Sequence, residues 1–89
     1  MNKIILLLFF INMLFPINGK VVFFDGTTID GQINSVTNSS VYITPIGLDF
    51  PQEILMNNID SLKTNDGKIL VASNTVLLLY DNGVFISPA

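Results

Sequence analysis

The 89-residue sequence contains no cysteine and no histidine, and these two absences exclude much of enzyme chemistry. A nucleophile system of the Ser/His/Asp or Cys/His type needs an imidazole base or a thiol. Structural zinc sites rely on the same two side chains. Without cysteine there is also no disulfide framework and no lipid-attachment cysteine. We therefore predict that the protein is not an enzyme, and we assign no catalytic, cofactor-binding or metal-ligating residue.

Positive charge is also scarce. The chain has four lysines and no arginine against seven acidic residues, which gives a net charge of −3. Nucleic-acid phosphates are neutralised by clustered Lys and Arg side chains, and this sequence has no such cluster. It also has no glycine-rich phosphate-binding loop. We therefore expect no binding to nucleic acid.

The most apolar stretch, residues 4–15, follows a single positive charge at Lys3 and ends before Pro16. This layout is typical of a secretory signal peptide, and the run is shorter than the roughly 20 apolar residues of a membrane-spanning helix. We predict a signal segment over residues 1–19 and a secreted or periplasmic protein. The exact cleavage site stays open, because Ile17 stands where a small residue is usual. The alternatives are a buried core helix or an uncleaved anchor, which would be the protein's only membrane contact.

Residues 20–89 alternate short apolar segments with turn residues, and none has a helical apolar stripe with caps at both ends. This pattern predicts one small all-β domain, a barrel of about five to seven short antiparallel strands. A domain of this size is marginally stable alone, which favours association. The segments with strand character, from which these strands would form, are residues 20–24, 27–36, 41–44, 53–56, 61–64, 68–72, 75–80 and 84–87.

Within the segment 27–36, the residues Ile29, Gly31 and Ile33 share one face of a strand. A glycine inside a strand often marks a bend where another backbone approaches closely. Val36 falls on the opposite parity. We therefore predict a bend or bulge at Gly31, where another backbone approaches closely, and a bulge near the end of this strand at Val36.

Two Asp-Gly pairs, at residues 25–26 and 30–31, allow two interpretations. Asp before Gly is a common turn pair, because the carboxylate accepts local backbone N–H groups. Asp25 and Asp30 could instead share a hard cation such as Ca²⁺, although the acid spacing of a calcium loop is absent. We predict a hairpin turn at Asp25-Gly26, with a carbohydrate- or Ca²⁺-binding module as the alternative.

Residues 22–67 resemble the Sm-like fold, and also the small SH3-like or Sm-like modules of exported bacterial proteins. The first motif of that fold is a strand, an Asp/Asn-Gly turn, a hydrophobic residue, a glycine and further strands. The second is a short apolar strand and an Ile-containing turn leading into a last strand. The resemblance implies a small barrel that serves as an interaction module of the cell envelope. The matching residues are Gly26, Ile29, Gly31 and Ile33 in the first motif and Ile54, Met56, Ile59 and Leu62 in the second.

The bacterial RNA-chaperone branch of that fold has a Gly-Gln-Ile sequence like residues 31–33 here. Its basic-histidine pair, however, is replaced by Asn57-Asn58. The resemblance therefore implies the fold and not the RNA-binding activity.

The apolar composition and the strand edges that a small barrel leaves open favour a protein-binding or self-associating structural module. We expect a protein partner or a homo-oligomer formed through an exposed strand edge, with residues 75–80 as the candidate edge. One alternative is an N-terminal fragment of a longer envelope protein. It rests on the abrupt ending of the sequence and on the similarity of residues 21–31 to residues 77–87.

Overall fold

The computed structural model describes residues 17–81 and 83–88, and these form an all-β structure. All strand pairs are antiparallel, which confirms the all-β, antiparallel part of the prediction. The described residues form nine strands rather than about five to seven. A 3₁₀ turn, Met56–Asn58, is the one helical segment in this part of the chain. The strands are β1 (Ile17–Phe23), β2 (Thr28–Val36), β3 (Ser40–Pro45), β4 (Gln52–Leu55), β5 (Ile59–Thr64), β6 (Ile69–Ala72), β7 (Thr75–Val76), β8 (Leu79–Asp81) and β9 (Val84–Ile86).

The nine strands belong to one sheet. Seven of them form a continuous path in the order β4-β3-β2-β1-β5-β6-β7, and β8 and β9 lie off this path. β2 is nine residues long and also pairs with β8 through Ser35 and Val36, beyond the part that pairs with β1. β8 in turn pairs with β9. Among the described residues β4 and β7 end the path without pairing to each other, so the predicted barrel does not close. The end strands, of four and two residues, carry few backbone groups with which closure could be made.

The strands curl around one apolar core, and the strand periodicity places its residues inside. Ile33 and Ile43 face each other across β2 and β3 and are both buried. The β2–β3 register shifts between Ile33 and Ser35, so that Val36 also turns inward. The bulge predicted near Val36 is therefore confirmed. The buried apolar residues are Val21, Ile33, Val36, Val41, Ile43, Ile54, Met56, Ile59, Leu62, Leu70, Val71 and Tyr80.

Two glycines lie directly opposite each other where this sheet is most crowded. Gly19 of β1 pairs with Gly31 of β2, and both are buried. A β-carbon at position 31 would meet the Thr44 carbonyl oxygen and lie 2.8 Å from the Cα of Pro45. A β-carbon at position 19 would lie 2.6 Å from the Lys63 carbonyl oxygen. The close approach predicted at Gly31 is confirmed, and this glycine pair lets β5, β1, β2 and β3 pack together.

The predicted signal segment overlaps the first strand. Residues 1–16 lie outside the described part of the chain, but β1 begins at Ile17. The carbonyl oxygen of Asn18 accepts a hydrogen bond of 2.8 Å from the Asn65 N–H, and Gly19 belongs to the crowded glycine pair. Cleavage near Gly19 stays a prediction, and it would remove three residues of β1. Among residues 17–81 and 83–88, no helix has the length and apolar character needed to cross a membrane.

The single strand predicted over residues 75–80 is wrong. The chain forms β7 and then β8, with a break at Leu77 and Leu78. Both of these residues direct their N–H groups at the same Leu70 carbonyl oxygen, at 2.8 and 3.2 Å, which turns the chain out of a regular ladder. Leu78 packs against the core and Tyr80 is buried. Only β7, at the end of the sheet path, has the edge position expected of this segment.

The β6–β7 turn is fastened to the 3₁₀ turn by one side chain. Ser73 and Asn74 have φ angles of 49° and 63°, as a two-residue hairpin loop of the primed type requires. The Asn74 side-chain amide donates hydrogen bonds to the carbonyl oxygens of Met56, at 2.8 Å, and Ile59, at 2.7 Å. Its backbone N–H bonds to the Asp60 carbonyl oxygen at 2.7 Å. Asn74 thus fixes the junction between β4 and β5.

Replacing Gly31 with alanine should lower the free energy of unfolding by about 1–3 kcal/mol, because the new β-carbon would push against the β3 backbone. The measurement is chemical unfolding of the full chain followed by circular dichroism. Gln32→Ala is the control, since Gln32 is the exposed neighbour in the same strand. Equal stability of the two variants would contradict the close packing at Gly31.

Asn74 adopts a positive φ in the turn, and its side chain makes two hydrogen bonds. The variants Asn74→Gly and Asn74→Ala separate these two contributions. Glycine keeps the positive φ but removes the two side-chain hydrogen bonds, each worth about 1 kcal/mol net. Alanine should cost roughly 1–2 kcal/mol more, because it is also strained at this φ. Thermal unfolding of both variants and the parent gives the comparison, and identical losses for glycine and alanine would argue against the strained turn.

Candidate functional site

Large apolar side chains are exposed close to β4. The segment 46–50, which we call the apolar loop, joins β3 to β4 and lies between two prolines. Ile46 is 81% exposed, Phe50 59% and Leu48 44%. Isolated exposed hydrophobic residues are normal, but a local group of them is typical of an interaction surface.

The apolar loop is held in place by backbone hydrogen bonds. The Ile46 N–H donates to the Asp30 carbonyl oxygen and the Leu48 N–H to the Pro45 carbonyl oxygen, both at 3.0 Å. Gly47, third residue of that four-residue turn, has a φ of 93°, which only glycine adopts readily. The turn therefore fixes the backbone from which the apolar side chains project.

β4 presents a short backbone edge beside this loop. In the described part of the chain it pairs with β3 on one side and with no strand on the other. The Met56 N–H bonds to the Ser39 carbonyl oxygen at 2.8 Å, in register with the β3–β4 ladder. Hydrogen-bonded pairs alternate along an antiparallel ladder, so Ile54 bonds inward to Val41. The N–H and C=O groups of Glu53 and Leu55 therefore point away from β3. We call residues 52–55 the β4 edge.

The carboxylate of Glu53, the one charged side chain of the β4 edge, is hydrogen-bonded to side chains of β3. One carboxylate oxygen of Glu53 accepts hydrogen bonds from the hydroxyl groups of Ser40, at 2.8 Å, and Tyr42, at 3.2 Å. The hydrogen bond to this carboxylate, together with its negative charge, raises the pKa of Tyr42. Leu55, two residues along on the same face, is 51% exposed. The edge thus combines free backbone groups with an exposed leucine and a carboxylate that is already engaged.

The two aspartates considered for a cation occupy different places on the first hairpin. Asp25 lies in the turn, where its carboxylate accepts hydrogen bonds from the Thr27 hydroxyl at 2.6 Å and the Thr27 N–H at 2.9 Å. The predicted turn is confirmed, with Gly26 at a φ of 88°. Asp30 is directly opposite Lys20 within the β1–β2 ladder. Residues 17–81 and 83–88 contain no group of three or more acidic side chains that could hold a metal ion.

A depression of about 320 Å³ opens beside the same turn and is lined by Phe23, Phe24, Asp25 and Asn58. Small-molecule sites generally combine apolar walls with a few converging polar groups. A carbohydrate ligand, the alternative raised from the sequence, would have to use this depression and one carboxylate rather than a pair.

A similar turn lies between β5 and β6. The Thr64 hydroxyl donates a hydrogen bond to the Asp66 carboxylate, and the Lys68 N–H donates to the Thr64 hydroxyl at 2.9 Å. The Thr64 hydroxyl lowers the pKa of Asp66, as the Thr27 hydroxyl lowers that of Asp25, and nearby backbone N–H groups add to both effects. Both carboxylates therefore stabilise turns, which is the structural use expected of Asp-Gly pairs.

The β9 strand is a second apolar edge, but a smaller one. Val84 and Ile86 are about half exposed. Between them, Phe85 is covered, since the Lys68 ammonium group lies 4.1 Å from its ring centroid and the Tyr80 ring packs against it. β9 has three residues against four in β4, and the sequence that joins it to β8, Asn82-Gly83, is not apolar.

The sequence did not identify the β4 edge as a site. Within the candidate edge at residues 75–80, Val76 and Leu78 are half-buried and pack against the core, and Tyr80 is buried. The sequence signal that could have pointed to this part of the chain is the spacing of Ile46, Leu48 and Phe50 between two prolines. Apolar residues at every second position are usual in a strand, where they share the buried face. In a loop no such face exists, so the same spacing indicates exposed apolar side chains.

The chain matches no family model, no curated protein and no solved structure. The resemblance of residues 22–67 to Sm-like and SH3-like modules therefore stays a prediction.

The two turn carboxylates predict a loss of stability in acid. Their pKa values are lowered below 3.8 by folding, so their contribution is complete above that value and is lost as the pH falls through the folded pKa. The thermal unfolding midpoint of the full chain should therefore fall as the pH drops from about 4 to about 2. Asn keeps the hydrogen-bond acceptor and removes the titration, so the Asp25→Asn/Asp66→Asn double variant should lose less over that interval. An unchanged slope in the double variant would refute the assignment.

Proposed function

We propose that this chain is an exported, Sm-like or SH3-like β module that binds protein by adding a strand at the β4 edge. The proposal combines the signal-type segment at residues 1–19 with the exposed edge and the apolar loop. In strand addition, main-chain hydrogen bonds supply affinity and neighbouring side chains supply selectivity. The β4 edge offers both kinds of contact, and this is the observation that carries the proposal.

The course of the chain supports the type of module. The second motif of the Sm-like fold is a short apolar strand and an Ile-containing turn leading into a last strand. Here β4, the 3₁₀ turn Met56–Asn58 and β5, which begins at Ile59, follow in that order. Gly31 provides the bend that the first motif requires. The open sheet leaves β4 available for a partner strand.

The chemistry of the edge supports protein as the ligand class. An extended peptide can bond to the outward N–H and C=O groups of Glu53 and Leu55 and cover the exposed Leu55 side chain. The chain lacks arginine and carries a net charge of −3, which disfavours a polyanionic ligand. Because hydrogen bonds already fix the backbone of the apolar loop, binding would cost less conformational entropy than with a flexible loop.

Leu55 allows the backbone of this edge to be tested without disturbing the fold. Its φ of −66° and ψ of 137° suit proline, and its N–H points away from β3. Leu55→Pro therefore removes one outward donor and no internal hydrogen bond. Leu55→Ala shortens the same exposed side chain but keeps the N–H, so it is the matched control.

The test is to place a photo-crosslinking phenylalanine analogue at Phe50 in the full chain, in the cells that express it. Phe24, equally exposed at 60%, is the comparison position. We expect a protein adduct from position 50 that Leu55→Pro reduces roughly tenfold and Leu55→Ala reduces less, because main-chain bonds dominate strand addition. The mass of the adduct also shows whether the captured chain is the protein itself or another one.

An adduct from position 24 but not from position 50 would overturn the assignment of the binding edge. So would an adduct from position 50 that Leu55→Pro leaves unchanged, because contact would then not depend on the β4 backbone.

A further inference from the structure

The β4 edge offers a partner strand only four backbone groups. These are the N–H and C=O groups of Glu53 and Leu55, as the alternation of the β3–β4 ladder requires. Pro51 precedes the strand and has no N–H to donate. Met56 follows it and bonds inward to Ser39. A partner that satisfies this edge must therefore present two N–H and two C=O groups with the same spacing.

A second copy of the β4 edge presents that set. In an antiparallel pair related by a two-fold axis, the same residues face each other in reverse order. An axis at Glu53 would place two Glu53 side chains directly opposite each other, and like charges there are destabilising. An axis at Leu55 would pair Glu53 with Asn57, which belongs to the 3₁₀ turn. An axis at Ile54 pairs Glu53 with Leu55 of the second copy twice and uses all four groups.

The side chains agree with this register. Glu53 and Leu55 are two residues apart and lie on one face of the strand, so each exposed leucine would face the side chain of a Glu53. That carboxylate is already bonded to Ser40 and Tyr42, which leaves its aliphatic stem toward the leucine. The two Ile54 residues meet on the core side, so the apolar face of one sheet continues into the other.

We propose that the partner at the β4 edge is a second copy of this chain, docked by antiparallel β4–β4 pairing about a two-fold axis at Ile54. This inference rests on the proposed function, since it names the partner of the same edge. In this register residue 51 of each copy lies opposite residue 57 of the other, so the apolar loop ends beside the 3₁₀ turn of the second copy. The dimer buries the exposed Leu55 side chains and joins two open sheets into one.

Because the chain has no cysteine, disulfide crosslinking can read this register directly. Opposed residues of a hydrogen-bonded pair have Cα atoms about 5.5 Å apart, within disulfide range, whereas two copies of residue 53 would be roughly 8 Å apart. Full chains carrying Glu53→Cys and Leu55→Cys, with different tags, are co-expressed and oxidised. The mixed pair should form roughly tenfold more crosslinked dimer than either variant alone.

Lys63→Cys, exposed on β5, replaces Leu55→Cys in the control mixture and should give only background. Crosslinking of Glu53→Cys alone at the level of the mixed pair would overturn the proposed axis. Absence of crosslinking in every combination would overturn the second copy as the partner. In that case a photo-adduct from Phe50 with a different protein would still support the binding edge, so the two proposals fail separately.

Discussion

The close approach of four backbones at Gly19 and Gly31 is the constraint on which the fold depends. These glycines face each other across β1 and β2, and each leaves room for the backbone of the next strand outward. Any side chain there would separate the strands, since even one methyl group would enter the space of a carbonyl oxygen. The glycine pair therefore lets the sheet bend around its core of valine, isoleucine and leucine residues.

That bend also determines what the sheet leaves open. β2 is long enough to pair with β1 and β8 on one side and with β3 on the other, so partner strands flank it on both sides. The ends of the path are short, and β4 stops at the 3₁₀ turn that Asn74 holds. An edge of four residues beside an exposed apolar loop is too small to propagate into a fibril-like sheet. It suits one defined partner, because its free groups are few and its register is narrow.

Much of the fold could be predicted from local chemistry. The Asp25-Gly26 turn, the bend at Gly31 and the bulge near Val36 follow from turn preferences and from the two-residue period of a strand. The break at Leu77 and Leu78 could not be predicted, since it depends on the Leu70 carbonyl oxygen of another strand. Barrel closure and the identity of the free edge are likewise properties of the whole sheet, which strand patterns do not encode.

The same limit applies to the site. From the sequence alone, the leucines of residues 75–80 are expected to form an exposed edge. In the structure Leu78 packs against the core, which depends on contacts with other strands. By contrast, a polar segment such as Gln52-Glu53 gives no sign that its backbone is free. What makes it a candidate is its position at the end of the sheet and the hydrogen bonds that draw the Glu53 carboxylate aside.

Amide hydrogen exchange across β4 tests the central claim, that this edge is free in the single chain and is covered on association. In dilute full-length protein, the Ile54 amide should exchange slowly, because it bonds inward to β3, while the Glu53 and Leu55 amides should exchange rapidly. Raising the protein concentration should slow the exchange of Glu53 and Leu55 and leave Ile54 nearly unchanged. Protection of all three amides in dilute protein would contradict the account.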